Sequence, residues 1–307
     1  MNILSIDIGS NTVSSLIANI DLVNKSLIPI KNFESVLRIS EGLTSLGNFS
    51  ELKTELLISH LKELVRISAE YNCQKIFATG TNAFRIAKNA TYVCEKVKNE
   101  TGVIINIISG EEEAELSFLG VASFCKGEQN IVIIDIGGGS TEIAFRSSNG
   151  DIIKFSLQIG VVSLKECSDK SVLLAKVQIE IDNFIQMLPR DDFSNFEIFA
   201  LAGTPTALSA IKHNISDYSN LLIDEDILTI DEIAGFVKFL SVTPTDEILK
   251  KFGSVVSKRE DLLLFGALIL YNIMKYYNIA KVIVSNKGLR YGTLIKYYFM
   301  TSDTCSE

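Results

Sequence analysis

Proline is scarce, at four residues in 307, which excludes a Pro-rich linker and makes any domain junction short and structured. Histidine is scarcer. His60 and His213 lie in no ligand pattern of the kind zinc sites use, and both read as surface or helix positions. The five cysteines (Cys73, Cys94, Cys125, Cys167 and Cys305) are odd in number and widely spaced, with no CxxC pair. That pattern predicts reduced thiols rather than a disulfide framework or a zinc site. No basic n-region opens the chain, and Asp7 interrupts the first apolar run, so no signal peptide is expected. The longest strongly apolar helical stretch, Leu262 to Met274, is too short to cross a bilayer and reads as a core helix. These absences predict a cytoplasmic protein with no membrane partner. Positive charge is also short, with a net charge of −8. That excludes a general nucleic-acid binder. A polyanionic substrate stays open, because the field inside a cleft is local. Any phosphate site must then gather its own cations and backbone N–H donors.

What the chain has is a globular composition, 47% hydrophobic and 21% charged, and enough length for two domains with a substantial core. It also has an internal repeat. Ile3 to Thr12 reads ILSIDIGSNT, and Ile131 to Thr141 reads IVIIDIGGGST. Each is a β-rich run ending in Asp-Ile-Gly, then small polar residues, then a second apolar strand, Val13 to Ile20 or Glu142 to Arg146. The shared unit is a hairpin with a glycine-rich turn and an aspartate at the end of its first strand. After the first hairpin the pattern predicts a strand at Leu27 to Leu37, helices at Glu51 to Tyr71 and Asn82 to Asn99, and strands at Lys75 to Ala78 and Val103 to Ile108. After the second it predicts strands at Ile152 to Leu157, Glu197 to Ala202 and Lys281 to Ser285. The helices of that half are predicted at Ser171 to Leu188, Thr206 to Lys212 and Gly288 to Tyr298. This is an α/β fold of two similar halves with mixed sheets and a cleft between them. The helix Gly110 to Phe124 bridges the halves, giving domains 1–124 and 125–287. The polar tail from Thr301 to Glu307 reads as frayed.

Three glycine-rich turns carry the chemistry: Gly9-Ser10-Asn11-Thr12, Gly137-Gly138-Gly139-Ser140-Thr141 and Gly203-Thr204-Pro205-Thr206. Glycine lets a backbone approach an anion, and Ser and Thr add donors. The third turn also opens a helix, whose N-terminus favours phosphate. One such turn alone would simply reverse the chain; three, two of them after Asp-Ile-Gly, point to phosphate binding. Asp7 and Asp135 end apolar strands, where a charge needs a partner, and Glu142 follows Asp135 across the second turn. Carboxylates beside phosphate cradles suggest Mg²⁺ (or Mn²⁺), a hard cation that takes oxygen ligands; the competing reading is that each caps its own turn. Glu111, Glu112 and Glu113 start the bridging helix. They either complement its dipole or include one general base that faces the cleft. Arg85, at a strand-to-helix junction, is either a fork for phosphate oxygens or a surface arginine, and Arg38, Lys88, Lys287 and Arg290 are further cationic candidates.

Taken together these residues resemble the Ppx/GppA phosphatases, the exopolyphosphatases and guanosine pentaphosphate phosphohydrolases. The resemblance runs nearly end to end. It rests on Asp7 to Asn11, Arg38 to Gly42, Ala78 to Asn89, Ile108 to Ala114 with Leu119 to Val121, Asp135 to Glu142, Gly203 to Thr206 and Ser285 to Arg290. It implies two actin-like (ribonuclease H-like) domains, with the last helix packing back on the N-terminal one. It implies water attack on the terminal phosphate of polyphosphate or pppGpp, and a place in the stringent response. It raises Glu113 to the best base candidate, with Glu112 as the fallback, and sets Asp135 and Glu142, with Asp7, around Mg²⁺. A homodimer is consistent with it. The sequence departs from the family pattern at Ser14 and Ser15, where an arginine is usual, at Tyr291, where a glutamate is usual, and at Ala202, usually glycine. Longer members add a C-terminal helical HD-type domain thought to hold long polyphosphate. The sequence given stops after two halves, so a short or nucleotide substrate is expected as readily as a long chain. The rival readings are a kinase of the same fold using ATP, a catalytically weak alarmone or nucleotide sensor, and, more remotely, an actin-like filament protein.

Overall fold

The computed structural model describes residues 1–125, 130–166, 178–179, 181–183, 185–186, 192–215 and 224–300. The helix expected at Ser171 to Leu188 falls largely outside the described residues, and so do Cys167, Cys305 and the tail from Thr301. The chain divides into two compact units: Met1–Phe124 joined by the segment from Leu289 on, and Cys125–Gly288. No helix among the described residues is long and apolar enough to cross a membrane.

The first unit is built on strands β1 (Asn2–Ile8), β2 (Thr12–Asp21), β3 (Ser26–Val36), β4 (Cys73–Gly80) and β5 (Ile105–Ile107). They form one sheet in the order β3-β2-β1-β4-β5. β1, β2 and β3 pair antiparallel, because short turns join them, whereas β4 and β5 run parallel to β1 across helical crossovers. The helices are α1 (Leu43–Leu46), α2 (Glu51–Glu70), α3 (Asn82–Ile86), α4 (Ala90–Thr101) and α5 (Gly110–Ala122).

Alternation along β1 divides the core. Leu4, Ile6 and Ile8 pack with Leu57, Leu61 and Leu64 of α2 and with Val93 and Val97 of α4. Ile3 faces the other way, with Leu16, Ala18 and Ile20 of β2, against Tyr291 and Leu294 of the C-terminal helix. The helix expected from Asn82 to Asn99 is broken. Ala87 is extended (ψ 123°), and the Asn89 side-chain amide both accepts from Phe49 N–H (2.9 Å) and donates to Phe49 C=O (3.0 Å). That exchange is why the helix restarts at Ala90.

The second unit has strands β6 (Ile131–Ile136), β7 (Thr141–Arg146), β8 (Ile152–Leu157), β9 (Glu197–Leu201), β10 (Ile227–Thr229) and β11 (Lys281–Val284). Its described helices are α6 (Val161–Glu166), α7 (Gly203–Lys212), α8 (Ile230–Val242), α9 (Thr245–Phe252) and α10 (Leu263–Tyr276). The sheet order is β10-β11-β9-β6-β7-β8. Read from β8 to β11, strand order and directions match β3 to β5 of the first unit. The sequence repeat is therefore a repeat of topology. α10 is apolar nearly all round because it is buried in the core, among Ile134, Leu208 and Val282. After it the chain returns to the first unit as α11 (Leu289–Ile295) and a π turn at Lys296–Met300.

Candidate functional site

The two glycine turns are the same turn. Gly9 N–H donates to Thr12 C=O at 3.0 Å, and Gly137 N–H donates to Ser140 C=O at 2.9 Å. A β-carbon at either glycine would stand 3.0 Å from that carbonyl oxygen. Asp7 faces Ser14 across the first hairpin, and Asp135 faces Glu142 across the second.

The next strand extends each row. Ser14 pairs with Glu34 on β3, and Glu142 pairs with Ser156 on β8. The rows read Asp7–Ser14–Glu34 and Asp135–Glu142–Ser156, with glutamate and serine exchanged. Only the second hairpin sets two carboxylates side by side at the strand ends. Glu142 is fully buried, and its Oε1 accepts from Ser156 Oγ at 2.7 Å. Among the described residues no three His, Cys, Asp or Glu side chains cluster to hold a metal.

The second turn is oriented from behind by α6. Val161 N–H donates to Gly137 C=O (3.1 Å), and Val162 N–H donates to Gly138 C=O (2.7 Å). In a trans peptide a carbonyl and the next N–H point opposite ways, so the amides of Gly138 and Gly139 turn away from α6. Gly160 makes this contact possible, since a β-carbon there would lie 2.5 Å from the Gly138 carbonyl and Gly139 nitrogen. Thr141 is fully buried, and its hydroxyl donates to Ile159 C=O at 2.7 Å, fixing the segment that carries Gly160. The first turn is held in the same way. Ser40 N–H donates to Ser10 C=O (3.1 Å), and Arg38 N–H donates to Asn11 C=O (2.8 Å). The Asn11 amide accordingly points away from segment 38–40.

The third turn leaves β9, which lies beside β6 with Leu201 opposite Asp135. It opens α7 at Gly203, and Thr206 Oγ donates to Ala202 C=O at 2.8 Å. Ala202 has φ 74° and ψ −168°, a region that glycine occupies and side chains resist. Thr204 is buried.

In the first unit, Ser109 caps α5 by accepting from Glu112 N–H at 3.1 Å. The three glutamates that follow diverge. Glu111 is exposed, and Glu112 reaches Lys296 at 3.8 Å. Glu113 accepts a hydrogen bond of 2.7 Å from Arg85 Nη1, which also donates to Ile108 C=O at 3.1 Å. Arg85 stands on α3, directly after β4, the strand that pairs Thr79 with Asp7. Of the other cations, Lys287 is paired with Asp224, Lys88 packs beside Gly47, and Arg290 lies 6.0 Å from the Tyr291 ring centre. Each unit thus carries a glycine turn, after the first strand of its hairpin, whose carbonyls are held by neighbouring backbone N–H groups. The first adds a carboxylate oriented by arginine, and the second adds a carboxylate pair.

A sequence model of the Ppx/GppA phosphatase family matches residues 16–298. The chain belongs to that family.

A bifunctional 3-dehydroquinate synthase/phosphatase of Fusobacterium nucleatum is 29% identical to it over 95% of the chain and 46% of that protein. Exopolyphosphatase 1 of Mycobacterium bovis is 31% identical over 50% of the chain and 45% of that protein. The chain thus spans about half the length of these curated relatives. The crystal structure of the Aquifex aeolicus Ppx/GppA family member superposes with a TM-score of 0.80 at 28% identity, covering 100% of this chain and 99% of that one. Both units have the actin-like α/β architecture of this family.

In this Ppx/GppA chain, two of the departures are explained by packing. Tyr291 is 2% exposed, stacks edge-on against Phe124 (5.5 Å), and accepts from Asn32 Nδ2 at 3.2 Å, so it is a core residue. Ser15 is likewise fully buried, on β2 opposite Ile6. Gly160 and Ser156 were not singled out from the sequence. The only signal was a glycine shortly after the strand expected at Ile152 to Leu157.

Proposed function

We propose that the chain is a hydrolase that releases terminal phosphate from inorganic polyphosphate or guanosine pentaphosphate. The observation that carries the reading is the Arg85–Glu113 pair at the start of α5. It gives a member of a phosphatase family a carboxylate of fixed orientation with which to activate water. The name of the mycobacterial relative supports polyphosphate as a substrate class.

In this reading the amides of Asn11, Gly138 and Gly139, with those of Ser10 and Thr12, of Ser140, and of Gly203 and Thr204, bind phosphate oxygens, while the Gly9 and Gly137 amides close their turns and let the backbone approach the anion. Thr141 holds the second turn in shape. Glu113 accepts a proton from the attacking water as its oxygen bonds to phosphorus and the bridging P–O bond breaks. Arg85 orients that carboxylate and adds positive charge beside it.

Asp135 and Glu142 fit a hard divalent cation. They are oxygen donors side by side, one of them fully buried, and Mg²⁺ commonly takes one or two carboxylates together with substrate phosphate. Asp7 holds the matching strand-end position in the first unit and is an oxygen donor of the same kind. When bound, Mg²⁺ or Mn²⁺ would neutralise charge on the phosphate oxygens.

The test is phosphate release, with Mg²⁺, from short polyphosphate, long polyphosphate, pppGpp and ATP, beside Glu113→Gln. The variant should bind substrate and lose turnover by about 10²–10⁴-fold, the range for a general base. Undiminished turnover would sink the assignment. No release by the parent protein from any substrate would move the reading to a sensor or a kinase.

A further inference from the structure

The C-terminal helix packs directly on α5, with Leu289 beside Ile108 and Leu116. Gly292 of α11 lies against the α5 backbone so closely that a β-carbon there would stand 1.7 Å from the Leu116 carbonyl oxygen. Four residues on, Lys296 Nζ is 3.0 Å from Glu115 Oε1 and 3.8 Å from Glu112 Oε1. Glu112 and Glu115 are three apart and share a face of α5. At about 100° per residue, Glu113 is turned well away from both. It reaches Arg85 instead, at 2.7 Å. The first turn of α5 is therefore held from two directions. Gly292 lets α11 lie close, and the Lys296 ammonium is shared between two glutamates of one α5 face.

We infer that Lys296 is a positioning residue for Glu113, fixing the rotational register of α5. The inference rests on the reading of Glu113 as the base. The Lys296 side chain is 35% exposed, and its partners 42% and 22%, so these ion pairs add little to global stability. Their effect is directional. A small rotation of the helix displaces Glu113 from its productive position, and displacement of a reacting group is costly out of proportion to its size.

The experiment compares the full chain with Lys296→Met and Lys296→Arg. It reads kcat and KM on tripolyphosphate with Mg²⁺, hydrogen–deuterium exchange of the α5 amides, and melting temperature. Lys296→Met should lower kcat about 10-fold with KM within about twofold. Exchange in the first turn of α5 should rise about fivefold while melting shifts by no more than about 2 °C. Lys296→Arg, which keeps the charge and reach, should restore both. Unchanged exchange in Lys296→Met, loss of kcat without faster exchange, or loss that arginine does not repair would each overturn the inference. If the parent protein releases no phosphate, the base reading falls by itself, and exchange still decides whether Lys296 holds α5.

Discussion

Arg85 Nη1 donates to Glu113 Oε2 at 2.7 Å, and the two side chains are 18% and 13% exposed. An arginine that acts through its carboxylate has no separate contribution once the carboxylate is neutral. A double-mutant cycle with Arg85→Met and Glu113→Gln should therefore be strongly non-additive. Each single change should lower kcat, and the double should be about as slow as Glu113→Gln. Additive losses would show that Arg85 works independently of Glu113.

Glu142 and Asp135 invite a binding test that does not depend on turnover. Glutamine at 142 keeps the shape and can still accept from Ser156 Oγ, but it lacks the charge a cation needs. Glu142→Gln should weaken Mn²⁺ binding, titrated calorimetrically, by about 10-fold or more, with Asp135→Asn behaving alike. Equal affinity in parent and variants would remove these two residues from the metal proposal.

Much of this was legible in the sequence. Asp-Ile-Gly after a β-rich run appears twice, and it fixed both hairpins and the place of Asp7 and Asp135 within each. What was not legible depends on distant packing. Nothing local to Asn89 announces that its side chain will clamp Phe49 and split a helix. Charge pattern alone leaves the three glutamates of α5 alike, and only the family resemblance favours Glu113; in the structure they are separated by Arg85, 28 positions upstream of Glu113, and by Lys296 near the end of the described chain. The exchange of Glu34 and Ser14 against Ser156 and Glu142 is visible only through strand register.

Gly160 offers a test of the cradle that leaves every charge in place. A methyl group there meets backbone atoms of Gly138 and Gly139 at 2.5 Å, and no flexible side chain stands between to give way. Gly160→Ala should push the turn out of shape, cost roughly 1–3 kcal/mol of stability, and raise KM by about 10-fold or more. Denaturant titration alongside kinetics separates the two effects. An unaltered KM would mean that the amides of this turn do not hold substrate.

Ala202 points the opposite way. Its backbone (φ 74°, ψ −168°) is strained for any residue with a β-carbon. Glycine relieves that strain and gives back part of the gain as unfolded-state entropy. Ala202→Gly should therefore stabilise the protein by about 1 kcal/mol in urea titration. A destabilised variant would show that the methyl group makes a compensating contact.

His60, on α2, has its pKa held below 6.5 by burial, with Glu63 opposing the shift through its charge. The unfolded chain then binds a proton more readily than the folded one, so stability rises with pH across this window. The contribution is complete above pH 6.5. It is lost as pH falls from there through the lower, folded-state pKa. Asp226 and Glu232 are held below 3.8 and 4.5 respectively, so their losses come at more acidic pH. For Asp226, burial is outweighed by hydrogen bonds from Ser209 and His213. For Glu232, it is outweighed by bonds from Thr229 N–H and Lys212. Glutamine at position 60 carries no titrating proton. The difference in urea-unfolding free energy between parent and His60→Gln should therefore shift in favour of the variant as pH is lowered from about 7.5 to about 5.5. A difference that stays constant across that range would mean that burial does not perturb His60, and that the acid sensitivity of the fold lies elsewhere.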